Sequence, residues 1–468
     1  MKKIIYLLTT ALLITQSFAS RTLLIPRSVS TDATTELSLN FYQDLHKRHE
    51  HALSWSITAA PFYQASAQSE KIAQYLLPFN SAYLEVREDG LGNVGSPWLY
   101  LVAQEGKHFD SLVCMTPKFE KWGALFRLNF NLDGIAKGLW LNATITPLQA
   151  INKLNLCEMQ RGAQGAISGY QSVMQALNNY GTQFWCTKTK KGGLDDIQVK
   201  IGYTHKPIKH FTVQEYIVGI LPTSPREKAY YFFEPMVGSG GHGGIGFGLS
   251  GGADIRNNTT SRWSWLYDAK YWYLFKRNQP RAFDLINGDW SRYLLGAFQE
   301  VPELGFPLLP LLVRCASVCP GSQLSLWQAL HYAHEHWHAE FGTCFWLRTQ
   351  ETIGLSNVYF GTLGIYDILG MRLGIATSAS TATIDQTSGS RNSVQSDTIF
   401  KTLNDGSINC CSAAQPAAYT FKLFGALGYE LTDHQFPAIV GLGGFYEFSN
   451  DAAALNQWGI SLRGIVNF

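Results

Sequence analysis

Charge is scarce in this chain. Asp, Glu, Lys and Arg make up 15% of its 468 residues, where an ordinary soluble domain carries ~25%. The formal net charge of +2 is too small to suggest a nucleic-acid partner, and no basic cluster with interleaved aromatics supplies one locally. Long hydrophobic runs are missing too: beyond the N-terminus no apolar stretch reaches the ~18 residues of a spanning helix. The eight cysteines, Cys114, Cys157, Cys186, Cys315, Cys319, Cys344, Cys410 and Cys411, include no paired Cys-x-x-Cys, which removes the common zinc motifs. No cofactor is expected. No carboxylate pair can be placed as an acid–base site from spacing alone, and no enzymatic activity is expected.

The N-terminus has the zones of a secretory signal peptide. Lys2 and Lys3 precede an apolar run from Ile4 to Ile14, and Ser17-Phe18-Ala19 offers a small-residue cleavage site. Residues 1–19 are therefore expected to be removed after Ala19. Residues 20–50 read as a periplasmic lead-in, with a short helix over 36–48 carrying Leu37, Phe41 and Leu45 on one side.

What the chain has in abundance is aromatic side chains, 13% of residues, and 43 glycines. Both fall into stretches of strict alternation. Trp122, Ala124, Phe126, Leu128 and Phe130 alternate with Arg127, Asn129 and Asn131, and Trp263, Trp265, Tyr267, Ala269, Tyr271 and Tyr273 oppose Ser264, Asp268 and Lys270. Side chains alternate across a strand, so each stretch separates an apolar face from a wetter one. A row of aromatics such as that from Trp263 would be a liability in water. The terminal run through Trp458, Ile460, Leu462, Gly464, Val466 and Phe468 repeats the pattern, with Arg463 on the polar side.

That last strand resembles the C-terminal signature strand of Gram-negative outer-membrane β-barrels, which ends in Phe. The resemblance implies an all-β fold, a transmembrane antiparallel up-and-down barrel occupying residues 51–468. It also implies outer-membrane localisation, lipid as a neighbour, and recognition of the C-terminal strand by the outer-membrane assembly machinery. The connections agree: short turns near 133–136, 206–209, 255–261, 334–336 and 430–435 fall on one side, and long segments at 150–194, 222–241, 276–321 and 350–416 on the other. Short periplasmic turns and long outer loops characterise such barrels. Even strand numbers are the rule, and about 14 strands are expected, with 12 next; residues 98–103 supply an extra member. Residues 65–97 alternate poorly and are expected to form a long outer loop or a lumen plug. Residues 377–396 are Ser/Thr-rich low complexity.

On this reading Arg127, Asn129, Asn131, Lys200, Asp268, Lys270, Glu340, Arg348, Lys422 and Arg463 lie opposite the apolar rows and line the lumen. A barrel of ~14 strands is wider than side chains alone fill, so a porin-like passive channel for small solutes is expected, with a homo-oligomer as one assembly of such barrels. One alternative is a plugged carrier of hydrophobic substrates, similar in size and strand number to the long-chain fatty-acid transporters. Others are a surface adhesion or display protein, and an outer-membrane hydrolase that assembles its residues across strands.

Two motifs suggest chemistry and lack its context. His334-Glu335-His336-Trp337-His338 matches His-Glu-x-x-His, but zinc chemistry needs a helix there and the flanks alternate as strands. Gly238-Ser239-Gly240-Gly241-His242-Gly243 matches Gly-x-Gly-x-x-Gly without a following helix, and reads as a glycine loop rather than a dinucleotide site. In an oxidising compartment, Cys157 with Cys186 and Cys315 with Cys319 are the expected disulfide partners.

Overall fold

A computed structural model describes residues 23–46, 54–365 and 401–468, except for short loop breaks at 90–91, 100, 105, 164–169, 180–185, 209, 259, 287–289, 299–300, 356–358, 433–435 and 451–452. The expected signal sequence, residues 1–19, and the Ser/Thr-rich stretch 377–396 lie outside the described residues.

Twelve strands close the barrel. They are β1 (Ser54–Ser66), β2 (Lys118–Asn131), β3 (Leu139–Ile145), β4 (Ile197–Ile208), β5 (Phe211–Leu221) and β6 (Gly244–Asn257), followed by β7 (Ser261–Leu274), β8 (Gly321–His334), β9 (Trp337–Arg348), β10 (Ala418–Leu431), β11 (Ala438–Ser449) and β12 (Gln457–Asn467). Each pairs antiparallel with its chain neighbours, and β12 returns to β1, with Ala59 opposite Gly464 and Ser66 opposite Gln457. Closure leaves no exposed edge, the condition for β-structure to cross lipid. Phe468 completes the seam: it exchanges backbone hydrogen bonds with Trp55 and stacks its ring on the Trp55 indole at 4.0 Å.

The count corrects the expectation of about 14. Two further strands, Pro147–Lys153 and Lys188–Leu194, continue β3 and β4 beyond the ring; they pair with each other, and Pro147–Lys153 also pairs with the upper part of β2. The extra member expected at 98–103 is not a barrel strand. A 3-10 turn covers Ser96–Leu99, and Leu99, Leu101 and Ala103 are buried in an apolar core above the barrel. A short apolar run reads alike as a buried strand or as loop core, and Pro97 favours the second.

Alternation sorts the wall. Outward rows such as Ile245, Phe247 and Leu249 on β6, Phe341 on β9, Leu442 on β11 and Ile460 on β12 are exposed. Aromatics gather at both ends of this belt: Trp55, Trp337, Tyr429 and Phe468 near the short turns, and Tyr273, Tyr419, Phe448 and Trp458 near the long loops. An apolar band between two aromatic girdles is the lipid-facing surface of a transmembrane barrel. Phe247→Arg, in the middle of this band, is expected to lower folding stability in bilayers by about 2–4 kcal/mol; denaturant titration in liposomes measures it.

The long loops build a cap over one mouth. Its apolar core joins Ile72, Leu76, Phe109, Val113, Leu177, Phe232, Phe283, Trp290 and Val318 with Leu24 and Val29 of the N-terminal segment. Residues 65–97 belong to this cap, contributing the helix Ser69–Leu76 and the strand Tyr83–Arg87.

Candidate functional site

The lumen is occupied by the N-terminal segment. The sequence reading sets 20–50 apart as a lead-in before the barrel and looks to 65–97 for a plug; in the structure it is 23–46 that fills the interior. Two short helices form here, α1 (Ala33–Leu37) and α2 (Asn40–His46). Asp32 caps α1 by accepting the Thr34 N–H, a usual role for Asp at this position. The chain turns between the helices at Leu39, whose φ is 58°. Gly441 leaves room for the Leu39 side chain on the β11 wall, where a Cβ would collide with it.

Polar contacts reach the wall on many sides. Glu36 accepts from Lys200 Nζ at 2.5 Å, Gln198 Nε2 at 3.0 Å and Lys270 Nζ at 3.5 Å. Asp32 accepts from Lys422 Nζ at 2.6 Å and from Arg27 at 2.7 Å, and both cations also meet Glu447 at 3.4 Å. Asp44 accepts from Arg127 at 2.5 Å and Asn129 at 2.9 Å. Arg463 donates to the Thr35 and Glu36 carbonyls, and Asn40 accepts from Thr58. Near the short turns Tyr42 stacks on His331 at 4.0 Å. His331 sits in a buried chain running from Glu340 through His331 and His338 to Glu430.

Near the cap the segment is fixed where the wall is interrupted. Between Lys188–Leu194 and β4, Asp195 accepts the Val29 and Ser30 amides at 2.8 and 3.1 Å and the Ser28 hydroxyl at 2.9 Å. Ser30 Oγ lies 3.1 Å from Thr146 Oγ1, in the matching gap after β3. A cavity between residues 25–31 and the wall, lined by Trp272, Trp346, Arg348 and Glu351, holds about 40 Å³, room for a water or so.

Burial by itself would raise the Glu36 carboxyl, but Lys200, Lys270 and Arg127 outweigh it and hold the pKa down at about 2. Asp32 behaves likewise: burial opposes ionisation, and Arg27 and Lys422 keep the group well below the usual carboxylate range. Asp196 goes the other way, pushed up to about 6 by burial and then by the charge of Asp195.

All ten residues expected to line the lumen are buried within it. Arg127, Asn129, Lys200, Lys270, Glu340, Arg348, Lys422 and Arg463 each contact the segment, Glu340 through the Leu39 amide and Arg348 through the Ile25 carbonyl. Asp268 instead accepts from Tyr216 at 2.6 Å, and Asn131 faces Asp133 at the turn. The sequence reading misses Arg27, Asp32, Glu36 and Asp44, whose wall partners such as Glu447, Lys422, Lys200 and Arg127 are far away in the chain.

The motifs resolve without chemistry. His334 ends β8 and Trp337 begins β9, so His-Glu-x-x-His is a hairpin turn, and no cluster of three metal-ligating side chains occurs among the described residues. Gly248-Leu249-Ser250-Gly251-Gly252 has the spacing of a nucleophile elbow, yet it lies along β6 with the Ser250 hydroxyl buried near Gln214. An elbow needs a strand-to-helix turn. In the glycine loop, Gly238, Gly240 and Gly241 all take positive φ. Gly240 also lies against the Glu227 carboxylate, a buried group that burial pushes up to about 7. Gly240→Ala is expected to cost about 1–3 kcal/mol through its positive φ, read as a lower unfolding midpoint.

The expected cysteine pairs need correction. Cys315 and Cys319 lie four residues apart on one strand, Val313–Cys319. That separates their Cα atoms by ~13 Å, beyond the ~7 Å a disulfide spans. Cys157 and Cys186 are not joined, and strand pairing sets Cys157 directly opposite Cys114.

No protein-family model matches the chain, and no curated protein matches it. Similar solved structures include an outer membrane channel from Pseudomonas putida F1, at 8% identity and a TM-score of 0.36 over 88% of this chain and 95% of that one. A monoaromatic hydrocarbon channel, CymD, aligns at 9% identity and a TM-score of 0.30 over 95% of both chains. A Pseudomonas aeruginosa FadL homologue aligns at 7% identity and a TM-score of 0.28 over 89% of both chains. At these scores the likeness carries no inference about substrate or activity.

Proposed function

We propose that this chain is an outer-membrane transport barrel closed in its resting state by its own N-terminal segment, and that it passes small amphiphilic solutes when that segment is displaced. The carrying observation is the seating of residues 23–46 in the lumen through Asp32, Glu36 and Asp44. A passive porin needs a standing water-filled path, and the filled lumen disfavours it. An amphiphilic cargo fits a lumen face where Trp272 and Trp346 stand beside Arg27, Arg348 and Glu351.

Recordings of the purified full-length protein in planar bilayers test this reading. Folded protein, verified by heat-modifiable gel migration, is expected to give rare or no conductance steps. Steady ohmic steps from the intact chain would overturn closure and restore the passive-porin reading.

A further inference from the structure

Two thiols in the cap face each other across a strand pair. The sheet that links loop 67–117 to loop 146–196 contains the strands Asp110–Met115 and Leu156–Gln160, with Leu112 opposite Met159, Val113 opposite Glu158 and Cys114 opposite Cys157. Directly opposed residues share a sheet face. The bonds from Arg161 N to Asp110 O and from Thr116 N to Asn155 O set the ladder's alternation, which makes Cys114 and Cys157 a hydrogen-bonded pair. Their Cα atoms then lie ~5.5 Å apart, within the ~4.4–6.8 Å that disulfides span.

The surroundings favour bond formation. Leu156–Gln160 is the edge strand of its sheet, held by a ladder on one side only, so its backbone can adjust as the bond forms. Cys157 is exposed and Cys114 half-buried, which gives an oxidant access. The side-chain bonds from Asn155 to the Thr116 carbonyl and from Ser111 to Glu158 fix the register on both sides of the pair.

We propose that Cys114 and Cys157 form a disulfide that staples the two cap loops together once the chain has been exported. The thiolate of Cys157 attacks a disulfide-bearing thiol oxidant of that compartment, and Cys114 then displaces the oxidant from the mixed disulfide. One S–S bond forms in the chain, two electrons pass to the oxidant, and it leaves as a dithiol after taking up the two thiol protons. The bond ties the connection between β1 and β2 to that between β3 and β4, so these parts of the cap move as one body. Loop closure of this kind disfavours the unfolded cap by restricting it.

Peptide mapping of the full-length protein, purified from the envelope and alkylated under denaturing, non-reducing conditions, tests the assignment. The expected result is a linked pair of peptides carrying Cys114 and Cys157 that separates on reduction. In Cys114→Ser, Cys157 is expected to change from unlabelled to fully labelled. If that variant fails to fold, the wild-type map alone decides. Full alkylation of both residues in the wild type, or a link from Cys157 to Cys186, overturns the proposal.

Discussion

Glu36→Gln is expected to loosen the N-terminal segment from the barrel wall by about 3–5 kcal/mol, the cost of leaving buried charges without their partner. Glu36 is fully buried and holds Lys200 and Lys270 at once. With a neutral amide there, the two ammonium groups are left with Asp268 as their remaining nearby carboxylate. Titration of the native residue does the same thing. Its folded pKa of about 2 lies below the ordinary 4.5, so its contribution is complete above 4.5 and is lost as pH falls through about 2. Amide hydrogen exchange over residues 33–46 checks both effects: protection should fall in the variant at neutral pH, and in the wild type only toward pH 2. Replacing the whole cluster, Glu36→Gln with Lys200→Met and Lys270→Met, should recover much of the loss, because apolar groups of similar volume can substitute for a buried ion pair. Unchanged protection in Glu36→Gln would show that the ion cluster does not hold the segment.

Deleting residues 23–46 is expected to convert a silent barrel into a conducting one. The segment brings three carboxylates, Asp32, Glu36 and Asp44, and one guanidinium, Arg27, into the lumen. Without it, the wall's buried cations Lys121, Arg127, Lys200, Lys270, Arg348, Lys422 and Arg463 face the acids Asp268, Glu340, Glu430 and Glu447. Charged side chains lining a pore select ions of opposite sign, so the opened barrel should prefer anions. Reversal potentials in a salt gradient measure that preference. The cap loses only Leu24 and Val29 from its core, so it should stay folded. Cation preference, or continued silence from a barrel that still migrates as folded, would contradict this assignment of charge.

Much of the barrel is legible in the sequence because its signal is strictly local. Period-two alternation in runs such as Trp263 to Tyr273 places each side chain in or out without reference to any other strand, and turn length sorts the two ends. The strand count fails at 98–103 for the same reason: a short apolar run carries no mark of whether it joins a sheet or a loop core. The segment in the lumen is harder to read. Asp32 meets Lys422 and Leu39 meets Glu340 across most of the chain, and no local pattern in 23–46 names those partners. Its local signs, the spacing of Leu37, Phe41 and Leu45 and the Asp32 cap before Ala33–Leu37, mark helices and not their location. The cysteines teach the same point, since spacing suggests Cys157 with Cys186 whereas strand pairing sets Cys157 against Cys114.

The most direct test of the account is a cross-link between Ser30→Cys and Thr146→Cys in the full-length protein. Their hydroxyl oxygens lie 3.1 Å apart, one on the N-terminal segment and one on the wall, so two sulfurs placed there are within bonding reach. Oxidation followed by peptide mapping should yield a peptide pair joined through positions 30 and 146, and the cross-linked barrel should remain silent in bilayers. Thiols at both positions that stay free and alkylate independently would show that residues 23–46 do not occupy the lumen.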